Sequence, residues 1–341
     1  MGTDELHADL VLEGGGVKGI GLVGAYATLQ DRGYRIHRIA GTSAGAIVGA
    51  LIAADISPVE LENVMRTIDY GRFEDKGFID HLGLVGKGAS LLFEKGIYEG
   101  NYLLAWLTEQ LATLGVRTFA DLRIDDPGSS LPPERAYRLV VMTSDVTRGR
   151  LVRLPWDYPQ YGLDPDEQSV AEAVRASMSI PFFYEPLRFT SSGETGRKEV
   201  SYLVDGGMLS NFPIEVFDRT DGRPPRWPTF GIKLSAQPDA ALRQKYEVHG
   251  TFSLALAMLG TMTGFHDQIH VDDPATLART MFVETYGVRA TDFDIDEGMQ
   301  DMLFRSGVKS ATRFLEGWHF EDYVARFRGP EAYALPDSGS A

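Results

Sequence analysis

Two glycine-rich turns constrain this chain more than any other stretch: Glu13-Gly14-Gly15-Gly16-Val17-Lys18-Gly19 and Gly41-Thr42-Ser43-Ala44-Gly45. Each follows a short apolar run, Leu10 to Leu12 in the first case and Ile39-Ala40 in the second, and each opens a longer helical pattern. A strand that breaks at glycine and restarts as a helix leaves backbone N–H groups bare at the helix N-terminus. On neighbouring strands the two turns would share one edge of a sheet. The first then presents N–H donors, and the second presents a hydroxyl on a sharp elbow. Donors aimed at a developing oxyanion, beside a hydroxyl nucleophile, are what a serine acyl hydrolase needs.

Composition narrows the alternatives. The net charge of -15 disfavours nucleic acid as a partner and gives no pull toward anionic lipid headgroups. A lipid would have to be reached through an apolar contact or a local basic patch. There is no cysteine, so disulfide and thiolate chemistry are excluded. The acidic start, Met1-Gly2-Thr3-Asp4-Glu5, has no apolar stretch of the kind a secretory signal carries. Leu6 stands where a myristoylation motif wants Ser or Thr. The most apolar run, Ala44 to Ala54, is far shorter than the ~20 residues of a spanning helix and reads as buried. A cytoplasmic protein, with at most peripheral membrane contact, is the expectation.

Along the chain, strands are expected at Ala8–Glu13, Tyr34–Ala40, Tyr137–Thr143, Val200–Val204, Thr229–Leu234 and Thr280–Thr285. Arg150–Leu154 reads as a hairpin partner. Helices are expected at Val17–Arg32, Ala44–Ala54, Asn101–Leu114, Val170–Ser177 and Glu297–Leu315. Ser57-Pro58 marks a further helix start. Asp69 to Gly100 reads as loops and short helices covering the site. Asp125 to Pro133 and Asp218 to Pro228 read as surface loops, and Phe252, Leu256, Leu259 and Met262, with Phe265 and Ile269, as a core stripe. The alternation predicts an α/β fold of three layers, α/β/α, with a mainly parallel sheet.

The spacing Gly14-x-Gly16-x-x-Gly19 also fits a dinucleotide-binding turn. Such a unit places an acid near the end of its second strand, to hold a ribose. Here that strand ends Arg38-Ile39-Ala40-Gly41-Thr42-Ser43, and the elbow occupies the place. A third block, Asp205-Gly206-Gly207, ends a strand and would bring a carboxylate to the same edge. Asp-Gly is common in turns, but with the other two blocks it supplies the base that a hydroxyl nucleophile requires.

These three blocks, in this order, resemble the patatin-like phospholipases. The resemblance extends to Thr143-Ser144-Asp145-Val146-Thr147-Arg148-Gly149 and to Ala176-Ser177-Met178-Ser179-Ile180-Pro181. It implies one domain over residues 1–335, with a motif core at 8–234, an extension at 235–335 and a disordered tail at 336–341. It also implies a Ser–Asp dyad, with Ser43 as nucleophile and Asp205 as base. The oxyanion hole is expected from Gly14, Gly15 and Gly16, with Val17, Lys18, Gly19, Gly41, Gly45, Gly206 and Gly207 supporting the turns. Lys18 replaces the Arg of many members and cannot fork onto a phosphate; it is read as a solvated side chain. His249, His266, His270 and His319 follow Asp205, so chain order leaves a Ser–His–Asp triad open, but none lies in a motif. A regulatory module of the same fold is a further alternative, against which the intact Ser43 and Asp205 argue. No cofactor or metal is implied, and the expected substrate is a lipid or lysophospholipid ester. A free Asp is a weak base at neutral pH, so burial must raise the proton affinity of Asp205.

Overall fold

The strand–turn–helix units form in the order read from the sequence. The computed structural model describes residues 6–68, 100–181, 183–192, 198–234, 273–290, 292 and 294–329. The expected cover after Asp69, the Phe252–Ile269 stripe and the C-terminal tail lie outside these residues. Strand β1 (Leu6–Leu12) runs into the first glycine turn, and a 3-10 turn at Gly16–Gly19 leads into α1 (Ile20–Asp31). Gly33, at φ 85°, ends that helix and hands the chain to β2 (Tyr34–Thr42). The elbow then opens α2 (Ala44–Ala53), every residue of which is buried. Ser57 caps α3 (Pro58–Thr67) through a capping box with Glu60.

The middle of the chain holds α4 (Asn101–Thr113), β3 (Leu139–Asp145), β4 (Arg150–Leu154), α5 (Val170–Ser177), β5 (Leu187–Ser192) and β6 (Lys198–Asp205). Then come β7 (Thr229–Lys233), α6 (Pro274–Leu277), β8 (Thr280–Phe282), α7 (Glu297–Glu316) and α8 (Phe320–Phe327). The expected strand at Thr280–Thr285 is thus shorter. Neither α6 nor α8 is anticipated by the sequence reading; α6, of four residues, is too short to show a period, whereas α8 carries Phe320, Tyr323, Val324 and Phe327 at helical spacing.

The eight strands form one mixed, mostly parallel sheet in the order β5-β6-β3-β2-β1-β7-β8, with β4 paired to β3. β3, β2, β1, β7 and β8 are mutually parallel, whereas β4 and β6 run antiparallel to β3. All of β3 and β7 and the second half of β1 are buried, as strands covered on both faces must be. The expected α/β architecture is therefore the one observed.

One register positions the site. β2 pairs with Leu139 to Met142 of β3, and β6 pairs with Thr143 to Asp145. β4 flanks Val141 to Asp145 throughout, so it occupies the other side of β3. β6 therefore takes the place beside β3 that β2 vacates at the elbow. The two strands run in opposite directions and meet end to end, Thr42 opposite Met142 and Asp205 opposite Thr143. The sequence reading placed Asp205 at the correct edge but did not anticipate that its strand arrives from the opposite direction.

The far edge of the sheet is closed by ionic contacts. Arg38 forks onto the buried Asp9 at 3.0 and 2.5 Å, and Arg279 forks onto Asp218 at 2.5 and 2.7 Å. Arg328, just after α8, reaches the same Asp218 at 2.6 Å. In the surface loop, the side chain of Asp126 is turned inward and enclosed between Arg38, Arg226 and His37. These arginines line a cavity, and their terminal nitrogens are turned onto carboxylates and carbonyls of the fold itself, while the buried Nε of Arg279 has no partner among the described residues.

Helices α1 and α7 cross backbone to backbone. A Cβ at Gly24 would collide with the carbonyl of Phe304, and one at Gly307 with the carbonyl of Gly21. Gly307→Ala is expected to destabilise the protein by about 1–3 kcal/mol, lowering Tm by several degrees. Gly298→Ala, at the exposed start of the same helix, is expected to be neutral or stabilising. Thermal melts of the two variants check this, and equal effects would remove the close crossing as the cause.

Candidate active site

The nucleophile candidate sits in a backbone conformation that L-residues avoid. Ser43 has φ 53° and ψ -123°, between the end of β2 and the first turn of α2. Holding such a geometry costs on the order of 1–3 kcal/mol, and the surrounding structure must supply it. Glycine makes the tight approach on both sides: a Cβ at Gly45 would collide with the carbonyl of Leu12, and one at Gly41 with that of Gly45. The strain has a chemical consequence. A serine at a helix N-cap ordinarily spends its hydroxyl on the backbone of the first turn. The Ser43 hydroxyl makes no such bond, and it points instead toward Asp205 and Met178.

Asp205 lies at the end of β6, buried, with the Ser43 hydroxyl near enough to favour its charged form, while the Ser43 hydroxyl itself donates to the Met178 thioether at 3.3 Å. The Asp205 Oδ1 accepts the Gly207 N–H at 2.6 Å, and its own N–H donates to the Ser179 carbonyl at 2.8 Å. Burial pushes the Asp205 carboxyl up to about 6, against the opposing pull of the Gly207 N–H and the nearby Ser43 hydroxyl. The base that the sequence reading required to be more basic than a free Asp is so. Among the described residues no arginine or lysine pairs with it; the Gly207 N–H and the nearby Ser43 hydroxyl favour its charged form.

The first glycine turn stands beside this pair. A Cβ on Gly14 would come within 3.1 Å of the Ser43 Cβ. Asn211 fixes the turn from both sides: its carbonyl accepts the Gly14 N–H at 3.4 Å, and its side-chain amide donates to the Gly14 carbonyl at 3.2 Å. Gly14 is thus engaged, while Val17 N–H bonds to Ala290 and Lys18 N–H folds back onto Gly15. Among the described residues, no hydrogen bond takes the N–H of Gly15 or Gly16. Gly16 has φ 55° and lies flush against the Ala290 carbonyl, so a side chain there is excluded twice. Glu13, just before the turn, is buried in a pair with Lys233 and also accepts the Leu234 N–H.

Lys18 differs from its reading. It is half-buried, and its Nζ donates to the Leu234 carbonyl at 3.4 Å rather than standing free in solvent. Gly19 packs against Ala44, joining the two turns, and Val17 is fully buried. Gly206 lies flush on the Met142 carbonyl, and Gly207 on Asp205 and Asn211. Asp145 serves a different purpose from Asp205: it caps the β3–β4 turn through Thr147 N–H and Arg148 N–H and accepts from Tyr161.

The described histidines stand elsewhere. His7 and His37 pack on Trp227, and His37 precedes Ser43 by six residues of strand, about 20 Å. His319 is the exposed N-cap of α8, whose Tyr323 lines the far-edge cavity. His249, His266 and His270 lie outside the described residues. Among the described residues no group of His, Cys, Asp or Glu could hold a metal ion, and no helix is long and apolar enough to cross a membrane.

A family model for patatin-like phospholipases matches residues 10–218, which include both glycine turns and the Asp205 block. The chain belongs to the patatin-like phospholipase family. It is 35% identical to the uncharacterized protein YqhO of Bacillus subtilis, over 92% of this chain and all of that one. It is 28% identical to the lysophospholipase nte1 of Emericella nidulans, over 60% of this chain but only 10% of that much longer protein. Among solved structures, VipD from Legionella pneumophila superposes with a TM-score of 0.50 at 19% identity, covering 91% of this chain and 67% of that one. That last likeness is one of fold.

Four contributors to the site were not read from the sequence. Asn211 has no motif of its own beyond following Asp205 closely. Ala290 contributes only a carbonyl, which leaves no trace in a sequence. Ser177 and Met178 lay inside a recognised block but had no assigned role.

The raised proton affinity of Asp205 has a cost in stability. Its carboxyl titrates near 3.8 when unfolded and near 6 in the fold, so the folded state binds the extra proton. The resulting stabilisation is complete below about pH 4 and is lost as pH rises through about 6. Asp205→Asn is therefore expected to melt higher than the parent at pH 7.5 and to match it near pH 4. A Tm difference that stays constant between those two pH values would contradict the buried-charge account.

Proposed function

We propose that the protein hydrolyses carboxylic esters of lipids through a Ser43–Asp205 dyad. The observation that carries the reading is the Ser43 hydroxyl, freed from capping by its backbone, standing beside a buried carboxyl that burial pushes up to about 6. Asp205 takes the hydroxyl proton as Ser43 Oγ bonds to the ester carbonyl carbon. The charge moves to the carbonyl oxygen, and the N–H groups of Gly15 and Gly16, unengaged among the described residues, are the proposed donors to it. Collapse breaks the bond to the leaving alcohol, and Asp205 returns the proton to that oxygen. The acyl group then sits on Ser43. Water, deprotonated by Asp205, attacks the same carbon and releases the fatty acid, restoring the serine. At pH 7 the carboxyl is mostly ionised and still far more basic than a free Asp, as a base near the working pH should be.

A lipid or lysophospholipid ester is the proposed substrate class, with contact to the membrane peripheral. Family membership supports it, and so does the name of the Emericella nidulans relative. The single-domain division at residue 335 and the cytoplasmic location belong to the same proposal.

The dyad makes distinct demands on variants. Ser43→Ala and Asp205→Asn are expected to lose turnover to a similar extent, because the two groups act as a unit. Single His→Gln changes at 249, 266, 270 and 319 should cost little. A fluorophosphonate probe should add one adduct per chain to the parent and none to Ser43→Ala, read by intact mass. One folded His variant as inactive as Asp205→Asn would replace the dyad with a triad. The kcat/KM profile should fall below about pH 6 with the ionisation of Asp205. Because an imidazole titrates in the same range, the variants, rather than the limb alone, assign it.

The oxyanion assignment is tested at Gly16. Gly16→Ala meets both a positive φ and the Ala290 carbonyl, so the turn must shift. Losing one donor costs on the order of 10²–10³ in kcat. Near-parental kcat in a folded Gly16→Ala would take this turn out of the mechanism.

A further inference from the structure

The block Ala176-Ser177-Met178-Ser179 reaches both halves of the site. Ser177, the last residue of α5, is fully buried. Its Oγ accepts the backbone N–H of Ser43 at 2.8 Å and donates to the carbonyl of Met142 at 2.6 Å. Two residues on, the Ser179 carbonyl holds the N–H of Asp205, and the Ser179 hydroxyl is bonded by the buried Arg175.

We propose that Ser177 is a positioning residue whose hydroxyl clamps the strained elbow and sets the reach of Ser43 Oγ to Asp205. The inference rests on the reading of Ser43 as nucleophile.

The chemistry of a helix start explains why the clamp must come from a distant element. The N–H of an N-cap residue is often satisfied by a Glu or Gln three positions on, the reciprocal half of a capping box. At this elbow that position is Ala46, which has no acceptor. The Ser43 N–H is buried, so it needs a partner. Ser177 supplies it across 134 positions of sequence. Because the same hydroxyl donates onward, its lone pair is directed at Ser43 while its proton is committed to Met142. That commitment matters for the base as well. Met142 is opposite Thr42 in the ladder, and Gly206 lies flush on the Met142 carbonyl. One hydroxyl therefore ties together the end of β2, the carbonyl of β3 and the turn after Asp205. Met178 places its thioether 3.3 Å from Ser43 Oγ on the same side. With the Ser177 hydroxyl removed, the Ser43 backbone is free to relax from φ 53°. The hydroxyl then swings from the carboxylate, while the first glycine turn keeps its own bonds to Asn211 and Ala290.

The test is Ser177→Ala in the full chain, with Ser177→Cys as the near-isosteric control and Ser43→Ala alongside. A medium-chain p-nitrophenyl ester reports turnover, and amide hydrogen exchange of the peptide spanning residues 42–47 reports the clamp directly. Ser177→Ala is expected to lower kcat about tenfold to a hundredfold, because a small misplacement of a nucleophile has a large effect on rate. KM should stay within about twofold, and the acid limb near pH 6 should persist, since Asp205 remains the base. Exchange of the 42–47 peptide should rise. Ser177→Cys, a weaker donor and acceptor, should fall between parent and Ala in both readouts, and it carries the test alone if Ser177→Ala does not fold. A folded Ser177→Ala with parental kcat and parental exchange overturns the proposal. So does a loss confined to KM. If Ser43→Ala retains full turnover while Ser177→Ala still raises exchange, the nucleophile reading has failed and the clamp has not.

Discussion

Everything at this site depends on the backbone of Ser43 being held where an L-residue does not rest. The φ of 53° turns the side chain out of the capping geometry that a serine at a helix start would otherwise adopt. It therefore frees the hydroxyl to meet a carboxylate. The fold supplies this conformation through close approach rather than through a single strong bond. Gly41 and Gly45 let strand and helix touch, and the buried α2 cannot retreat. β3 presents the Met142 carbonyl as a fixed point beneath the elbow. The head-on meeting of β2 and β6 beside β3 then brings the second functional residue to the first, with no long loop between them.

The electrostatics follow from the same arrangement. A carboxylate at the end of a buried strand loses solvation and gains, among the described residues, the Gly207 N–H and the nearby Ser43 hydroxyl in return. The consequence is a carboxyl more basic than a free Asp and a fold that gives up stability as the pH rises through about 6. At the opposite edge the treatment of charge is reversed. There Asp9, Asp126 and Asp218 are each met by guanidinium groups. Carboxylates that brace the fold are paired, and the one proposed to take part in chemistry is not. A net charge of -15 does not register this difference; the location of the arginines does.

The sequence made the local units legible. A strand, a glycine turn and a helix are consecutive in the chain, so both turns, α1, α2 and the Ser57 cap were readable from spacing and residue type. Asp205 was legible because it too ends an apolar run at two glycines. The direction of β6 was not, since alternation of side chains is the same in parallel and antiparallel strands. Nor was the partner of the Ser43 N–H, because nothing within one turn of Ser43 indicates that its acceptor lies in α5. Asp125–Pro133 lies at the surface as expected, but the inward turn of the Asp126 side chain was not legible, for a related reason. An acidic loop residue is exposed by default, and only the assembled fold brings Arg38 and Arg226 to bury it. Lys18 was misread in the same way, its carbonyl partner being supplied by Leu234 at the end of β7.

The central claim is that an acyl group passes through Ser43 under the action of Asp205. It is tested most directly by trapping that intermediate. The protein is mixed with a medium-chain p-nitrophenyl ester, quenched in acid within the first turnovers and digested for peptide mapping by mass. The account predicts the acyl mass on the peptide that carries Ser43, formed in the parent and absent when Asp205 is Asn. Acyl transfer to any other side chain, or undiminished acylation of Ser43 without the Asp205 carboxylate, would contradict it.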